Sequence, residues 1–176
     1  MRSGDFQIES IYDFLEIHRR LFSAFYDWAG KPRIIDIYKS EPLSGGKSID
    51  YVFASYIDTA LGELQNEFAA IDWETLDPSA KIVKVCYLVS EFWHIHPFWE
   101  GNTRTSAMAL YFLIKKAGLR VYIDFLSRNG RFFRNALVLS CLYSVSKTEY
   151  LLGVVSDSVT FKNENSGNTK QSREPK

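Results

Sequence analysis

Cysteine is nearly absent from this chain, and so is any imbalance of charge. The only two cysteines, Cys86 and Cys141, lie in apolar helical runs, which excludes a disulfide framework or a zinc site and fits a reducing cytoplasm. Lysine plus arginine total 21, as do aspartate plus glutamate, so no overall field favours nucleic acid or an anionic membrane. Any anion site must be built locally. No stretch approaches the roughly 18 uninterrupted apolar residues of a membrane span, and no apolar signal core follows Met1–Gln7. Neither membrane spanning nor secretion is expected. Internal repeats are also missing. What is present is 46% hydrophobic residues over 176, enough for one substantial core and too little for two.

Those apolar residues fall into helical periods. Ile8, Ile11, Phe14, Leu15, Leu21, Phe22 and Phe25 recur at three- and four-residue intervals, predicting an amphipathic helix from about 7 to 28 that Gly30 and Pro32 end. Ile34–Ile37 and Ser48–Val52 are short, rich in β-branched and aromatic residues, and separated by Gly45-Gly46, which predicts a β-hairpin. A second helix is expected from Phe53 to about Ala70. Asp77-Pro78 offers an N-cap and a first-turn proline to a third, whose Ile82, Val83, Val85, Cys86, Leu88, Val89, Phe92 and Trp93 make it apolar on nearly every side. That is the pattern of a buried central element. A fourth runs through Ala107, Leu110, Tyr111 and Ile114, with Lys115 and Lys116 in its last turn and Gly118 placed to end it. Two more are predicted, from about 129 to 144 and from about 146 to 156, and from Lys162 onward the chain has the polar composition of a disordered tail. The expected fold class is all-α, mainly helical, with about six helices and a small β-hairpin. One domain spans 7–157, and a polar tail spans 158–176.

One stretch reads as chemistry: His96-Pro97-Phe98-Trp99-Glu100-Gly101-Asn102-Thr103-Arg104, between the third and fourth helices. Gly101, Asn102 and Thr103 before a helix present free backbone N–H groups at a positive dipole end, where phosphate oxygens bind. Gly101 permits close backbone approach, Asn102 can orient the turn, and Arg104 adds a planar donor fork. Glu100 would repel phosphates unless a cation lay between them, which points to Mg2+, an ion that accepts one or two carboxylates plus phosphate oxygens. Phe98 should anchor the turn in the core. His96 can move a proton near neutral pH, since an unperturbed imidazole titrates at about 6.5. His94 and His96 form an H-x-H pair, but no other histidine or cysteine cluster completes a metal site. His18 is expected as a partly buried helix residue, and Trp93 and Trp99 as packing groups.

The run from His96 to Arg104 resembles the Fic signature H-P-F-x-D/E-G-N-x-R, matching every fixed position of it. Ile17-His18-Arg19-Arg20-Leu21-Phe22 and the run Tyr26 to Arg33, which contains W-A-G-x-x-R, look like the helix and turn that precede the flap in that family; Phe133-Arg134-Asn135-Ala136-Leu137 resembles a downstream helix of some members. The resemblance implies transfer of AMP from ATP to a Tyr, Thr or Ser hydroxyl of a target protein. It makes His96 the general base and Glu100 the Mg2+ ligand, places Gly101, Asn102, Thr103 and Arg104 on the phosphates, and makes the hairpin a flap whose Ile49, Asp50, Tyr51 and Val52 dock the target by strand addition. Two positions depart from the family pattern: Thr103 replaces a glycine found in many members, and Ala107 an arginine that usually reaches the distal phosphates. The alternatives are Doc-like protein phosphorylation, another phosphate-group transfer, or a catalytically weak nucleotide- or partner-binding protein. Thr160, Glu164 and Asn165 also fit the family's inhibitory pattern Ser/Thr-x-x-x-Glu-Gly/Asn. An antitoxin-like inhibitor and a second copy of the chain in a homo-oligomer are the other partners the resemblance allows.

Overall fold

Helix boundaries in this chain are set by where backbone groups find partners. The computed structural model describes residues 6–120, 124, 128–142 and 148–164, and among them six α-helices and no strand. They are α1 (Asp13–Phe22), α2 (Ile57–Ala69), α3 (Pro78–Ile95), α4 (Asn102–Lys116), α5 (Gly130–Leu142) and α6 (Thr148–Glu164). The mainly helical class is as expected.

Several ends differ from the periodicity. α1 is shorter than 7–28 because Asp13 Oδ2 accepts the N–H groups of Glu9 and Ser10, while Gln65 on α2 accepts that of Ile11. Past Phe22 the chain folds into turns against α1, with Gly30 at φ 80° donating its N–H to His18 Nδ1. The apolar period runs on through this segment, but tertiary contacts decide its shape. A 3-10 turn, Ala54–Tyr56, precedes α2. α3 starts where Asp77 and Pro78 predict, with the Asp77 carboxylate accepting from Ser79 and Ala80. The C-terminal end of α4 is closed by Gly118, φ 74°, beyond which the N–H of Leu119 bonds to Ile114 O. α6 runs to Glu164, beyond the expected end near 156.

α3 is the centre, packed against α2, α4, α5 and α6, with α1 laid on α4. Val85, Cys86, Leu88, Val89 and Phe92 on α3 are fully buried against Phe14 and Ile17 of α1, Leu61 of α2, and Leu110 and Leu113 of α4. This core fixes the α3–α4 junction.

The β-hairpin does not form. Ile34–Ile37 and Ser48–Val52 run without a ladder, and only the loop tip closes through backbone bonds, Gly46 N–H to Glu41 O and Glu41 N–H to Lys47 O. Side chains join the arms instead. Arg33 donates to Ile35 O on one arm and Val52 O on the other, Asp36 Oδ1 accepts from Ala54 N–H, and Ser48 Oγ accepts from Lys39 N–H. Strand propensity supplies no pairing energy when the carbonyls that would build the ladder are taken by a guanidinium.

Candidate active site

α3 ends at Ile95, and the next residue, His96, adopts φ 51°, ψ 55° while its N–H closes onto Phe92 O at 3.2 Å. It is the only non-glycine residue at positive φ among those described. This left-handed step folds the imidazole back under α3, with Nδ1 3.0 Å from Trp93 O. A carbonyl only accepts, so this contact assigns the proton to Nδ1 and leaves a lone pair on Nε2. The residue is 3% exposed, its ring centroid 4.0 Å from that of Tyr51. Burial pushes its pKa down to about 3; the fields of Lys39, Arg33 and Arg134 add to this, and the bond to Trp93 opposes it. His96 is therefore a neutral base at neutral pH.

A pH dependence follows, and its sign is opposite to that of a histidine paired with a carboxylate. Because the folded-state pKa is depressed, the contribution of neutral His96 to stability is complete above an unfolded pKa of about 6.5 and is lost as pH falls from there toward about 3. His18, whose burial also lowers its pKa, acts in the same direction. The urea midpoint should fall between pH 7 and 5, and less so in His96→Asn. Equal acid sensitivity of the two proteins would remove His96 from the explanation.

Behind His96 the motif turn is held from both sides. Phe98 is fully buried and stacked on His18 with centroids 3.6 Å apart. Asn102 Oδ1 accepts from Phe98 N–H at 3.0 Å, and Nδ2 donates to Phe98 O at 2.7 Å, so its amide locks the turn. His18 accepts from Gly30 N–H at 2.9 Å through Nδ1, and so donates through Nε2 to Glu100 O at 3.0 Å. Gly101 caps α4 at φ 87°, where a Cβ would lie 2.6 Å from the Phe22 ring and 3.1 Å from His18 Nε2. Only glycine fits both the dihedral and the space.

A cavity of about 240 Å3 opens beside the imidazole, lined by Lys39, Tyr51, Trp93, His96, Glu100, Asn102, Thr103 and Arg134. Glu100 stands at its rim; burial works against its ionisation, but the Gly101 N–H at 3.0 Å, Lys39 at 3.8 Å and Arg104 at 3.5 Å hold its carboxyl below the usual range. Thr103 Oγ1 accepts from Trp93 Nε1 at 3.0 Å, so Trp93 positions the turn besides packing. Arg104 does not line the cavity: its guanidinium lies 4.5 Å above the Phe22 ring. Among the described residues no group of three or more His, Cys, Asp or Glu side chains could hold a metal. A divalent ion at Glu100 would need a ligand's oxygens to complete its shell, which suits Mg2+. His94 turns the other way, its Nε2 2.9 Å from Asp50 O.

His96, Glu100, Asn102 and Thr103 thus meet at one cavity, while Gly101 supports the turn from behind. Of the flap residues, Tyr51 covers His96, Ile49 is buried, Asp50 is exposed, and Val52 is tied to Arg33. Thr160 and Glu164 lie on the last turns of α6, and Asn165 lies outside the described residues. Trp99 is 46% exposed, contrary to its expected packing role. Sequence reasoning gave no site role to His18, Arg33, Lys39, Glu41 or Arg134. Only W-A-G-x-x-R hinted at Arg33, and nothing in the spacing links Glu41 to Arg134.

A helical body thus holds a neutral, buried imidazole beside a cavity lined by Lys39 and Arg134 at a helix N-terminus. The chain belongs to the Fic/DOC family, whose model matches residues 9–114. Protein adenylyltransferase VbhT of Bartonella schoenbuchensis is 27% identical over 155 residues, covering 84% of this chain and 30% of that protein. The N-terminal Fic domain of a Bartonella effector protein from Bartonella sp. AR 15-3 has the same fold, with TM-score 0.77 at 17% identity over 93% of this chain and 76% of that one. BepC from Bartonella tribocorum, with bound AMPPNP, matches with TM-score 0.67 at 19% identity over 87% and 76%. The chain spans 30% to 50% of the lengths of the curated relatives it matches. No helix among the described residues is long and apolar enough to cross a membrane.

Proposed function

We propose that this chain transfers AMP from ATP to a Tyr, Thr or Ser hydroxyl of a target protein. The observation that carries this reading is the neutral His96, whose Nδ1–H is committed to Trp93 O while Nε2 has no hydrogen-bond partner among the described residues, beside the cavity. Nε2 takes the hydroxyl proton, the oxygen attacks the α-phosphorus, and the bond to the β-phosphate oxygen breaks to release pyrophosphate. First-turn N–H groups of α4, which have no intrahelical acceptor, bind phosphate oxygens. Glu100 would hold Mg2+, which would supply charge neutralisation at the phosphates. Arg104, 3.5 Å from the Glu100 carboxylate, helps to orient it. A target segment lies along Ile49–Val52, where a cavity of about 580 Å3 runs beside Ile37, Tyr38 and Phe53. The name of the VbhT relative and the nucleotide bound to BepC support the choice of AMP transfer.

Incubation with ATP labelled at the α- or the γ-phosphate tests the reaction. Protein carrying only α-label is the expected result, whereas only γ-label indicates Doc-like phosphorylation and neither indicates a binding protein. Thr160, Glu164 and Asn165 are proposed as an internal inhibitory segment on the strength of their pattern. Glu164→Gly should then raise label incorporation, and equal incorporation removes that role.

A further inference from the structure

One lining residue of the cavity beside His96, Arg134, is paired with a residue 93 positions away in sequence. Arg134 projects from α5 and forms a two-pronged pair with Glu41, Nη2 to Oε2 at 2.6 Å and Nη1 to Oε1 at 3.2 Å. Glu41 is 1% exposed and sits at the loop tip, where its backbone N–H and O close onto Lys47 and Gly46. A carboxylate so buried needs a charge partner, and the fork geometry pins the guanidinium in one plane.

The pair leaves Arg134 with donors to spare. A guanidinium has five N–H bonds, of which two face Glu41; among the described residues no acceptor takes its Nε–H. Thr103 faces the same cavity in a similar condition. Its oxygen accepts the Trp93 indole N–H, so its own hydroxyl hydrogen is left to point elsewhere, and no acceptor for it stands among the described residues. Lys39 lines the same space, its ammonium donating to Trp99 O at 3.2 Å and lying 3.8 Å from Glu100, the one carboxylate among the lining residues.

From this geometry we propose that Arg134, fixed in place by Glu41, is a phosphate-binding residue, and that together with the Thr103 hydroxyl on the first turn of α4 it grips the phosphates of the nucleotide. The proposal rests on the nucleotide reading of the site given above. It makes Glu41 a positioning residue with two opposed effects. Glu41 holds the guanidinium where phosphate arrives, and its negative charge reduces the pull on that phosphate. Nucleotide binding is thereby linked to the loop that carries Glu41.

The test measures binding of a non-hydrolysable ATP analogue and of adenosine, with Mg2+, to the full chain. Glu41→Gln keeps an acceptor facing Arg134 but removes the opposing charge, so the ATP analogue should bind several-fold more tightly. The double variant Glu41→Gln with Arg134→Gln leaves no buried charge unpaired and retains a hydrogen-bonding pair. Relative to Glu41→Gln alone it should bind the ATP analogue about 10- to 100-fold more weakly, as expected for losing a charge-assisted phosphate contact, with adenosine binding unchanged. If both variants weaken the analogue and adenosine alike, the pair is structural and the proposal is overturned. Wild-type affinity in Glu41→Gln with no further loss in the double variant also overturns it, while leaving AMP transfer standing. Should the wild-type chain bind no nucleotide, the function proposed above and this assignment fail together.

Discussion

Replacing His96 by asparagine is expected to lower AMP transfer by about 10²- to 10⁴-fold while the chain still unfolds cooperatively, the range for removing a positioned general base. Asparagine isolates the chemistry better than alanine because it adopts left-handed dihedrals more readily than most residues, and position 96 requires φ 51°. Its side-chain amide can also donate to Trp93 O, as Nδ1 does. The variant keeps the turn and loses the lone pair on Nε2. Nucleotide affinity should change little, so the loss should appear in kcat. Transfer at the wild-type rate would assign the base to another group and remove the central step of the mechanism.

The second large effect is on stability and comes from Arg33. This residue is 7% exposed; its backbone N–H donates to Pro97 O at 2.7 Å, its Nε to His96 O at 2.9 Å, and its two other nitrogens to Ile35 O and Val52 O. One side chain thus joins both arms of the flap to the motif turn. Arg33→Met should cost about 3 kcal/mol, at roughly 1–3 kcal/mol for the buried His96 carbonyl left without a partner and less for the two more exposed ones. Arg33→Lys should recover little, because an ammonium on a flexible stem cannot reproduce the planar fork that spans three carbonyls. Urea unfolding followed by tryptophan fluorescence would measure both variants. A lysine variant as stable as the wild type would show that charge alone holds the flap.

Much of the fold was legible because its signals are local. Asp77 followed by Pro78, the all-round apolar surface of α3, and Gly118 after Lys115 and Lys116 each act within a turn of the residues that carry them. The expected hairpin fails for the same reason. Its β-branched residues speak of strand preference, but strand formation needs free backbone groups on both arms, and the guanidinium of Arg33 takes two of those carbonyls. α1 is shorter than its apolar period, which continues past Phe22 into turns that pack on the helix.

The sequence by itself determined the family signature, the order of the helices and the position of His96 at a helix end next to a glycine-capped helix start. These depend on residue types at short spacing, where backbone geometry leaves few choices. Only the tertiary structure decided that His96 is neutral, since burial and the charges of Lys39, Arg33 and Arg134 come from distant segments. It likewise placed Arg104 over Phe22 and brought Arg134 to the cavity, pinned by Glu41. Charge acts through space rather than along the chain, so residues far apart in sequence set the chemistry of a motif that the sequence displays in a single run.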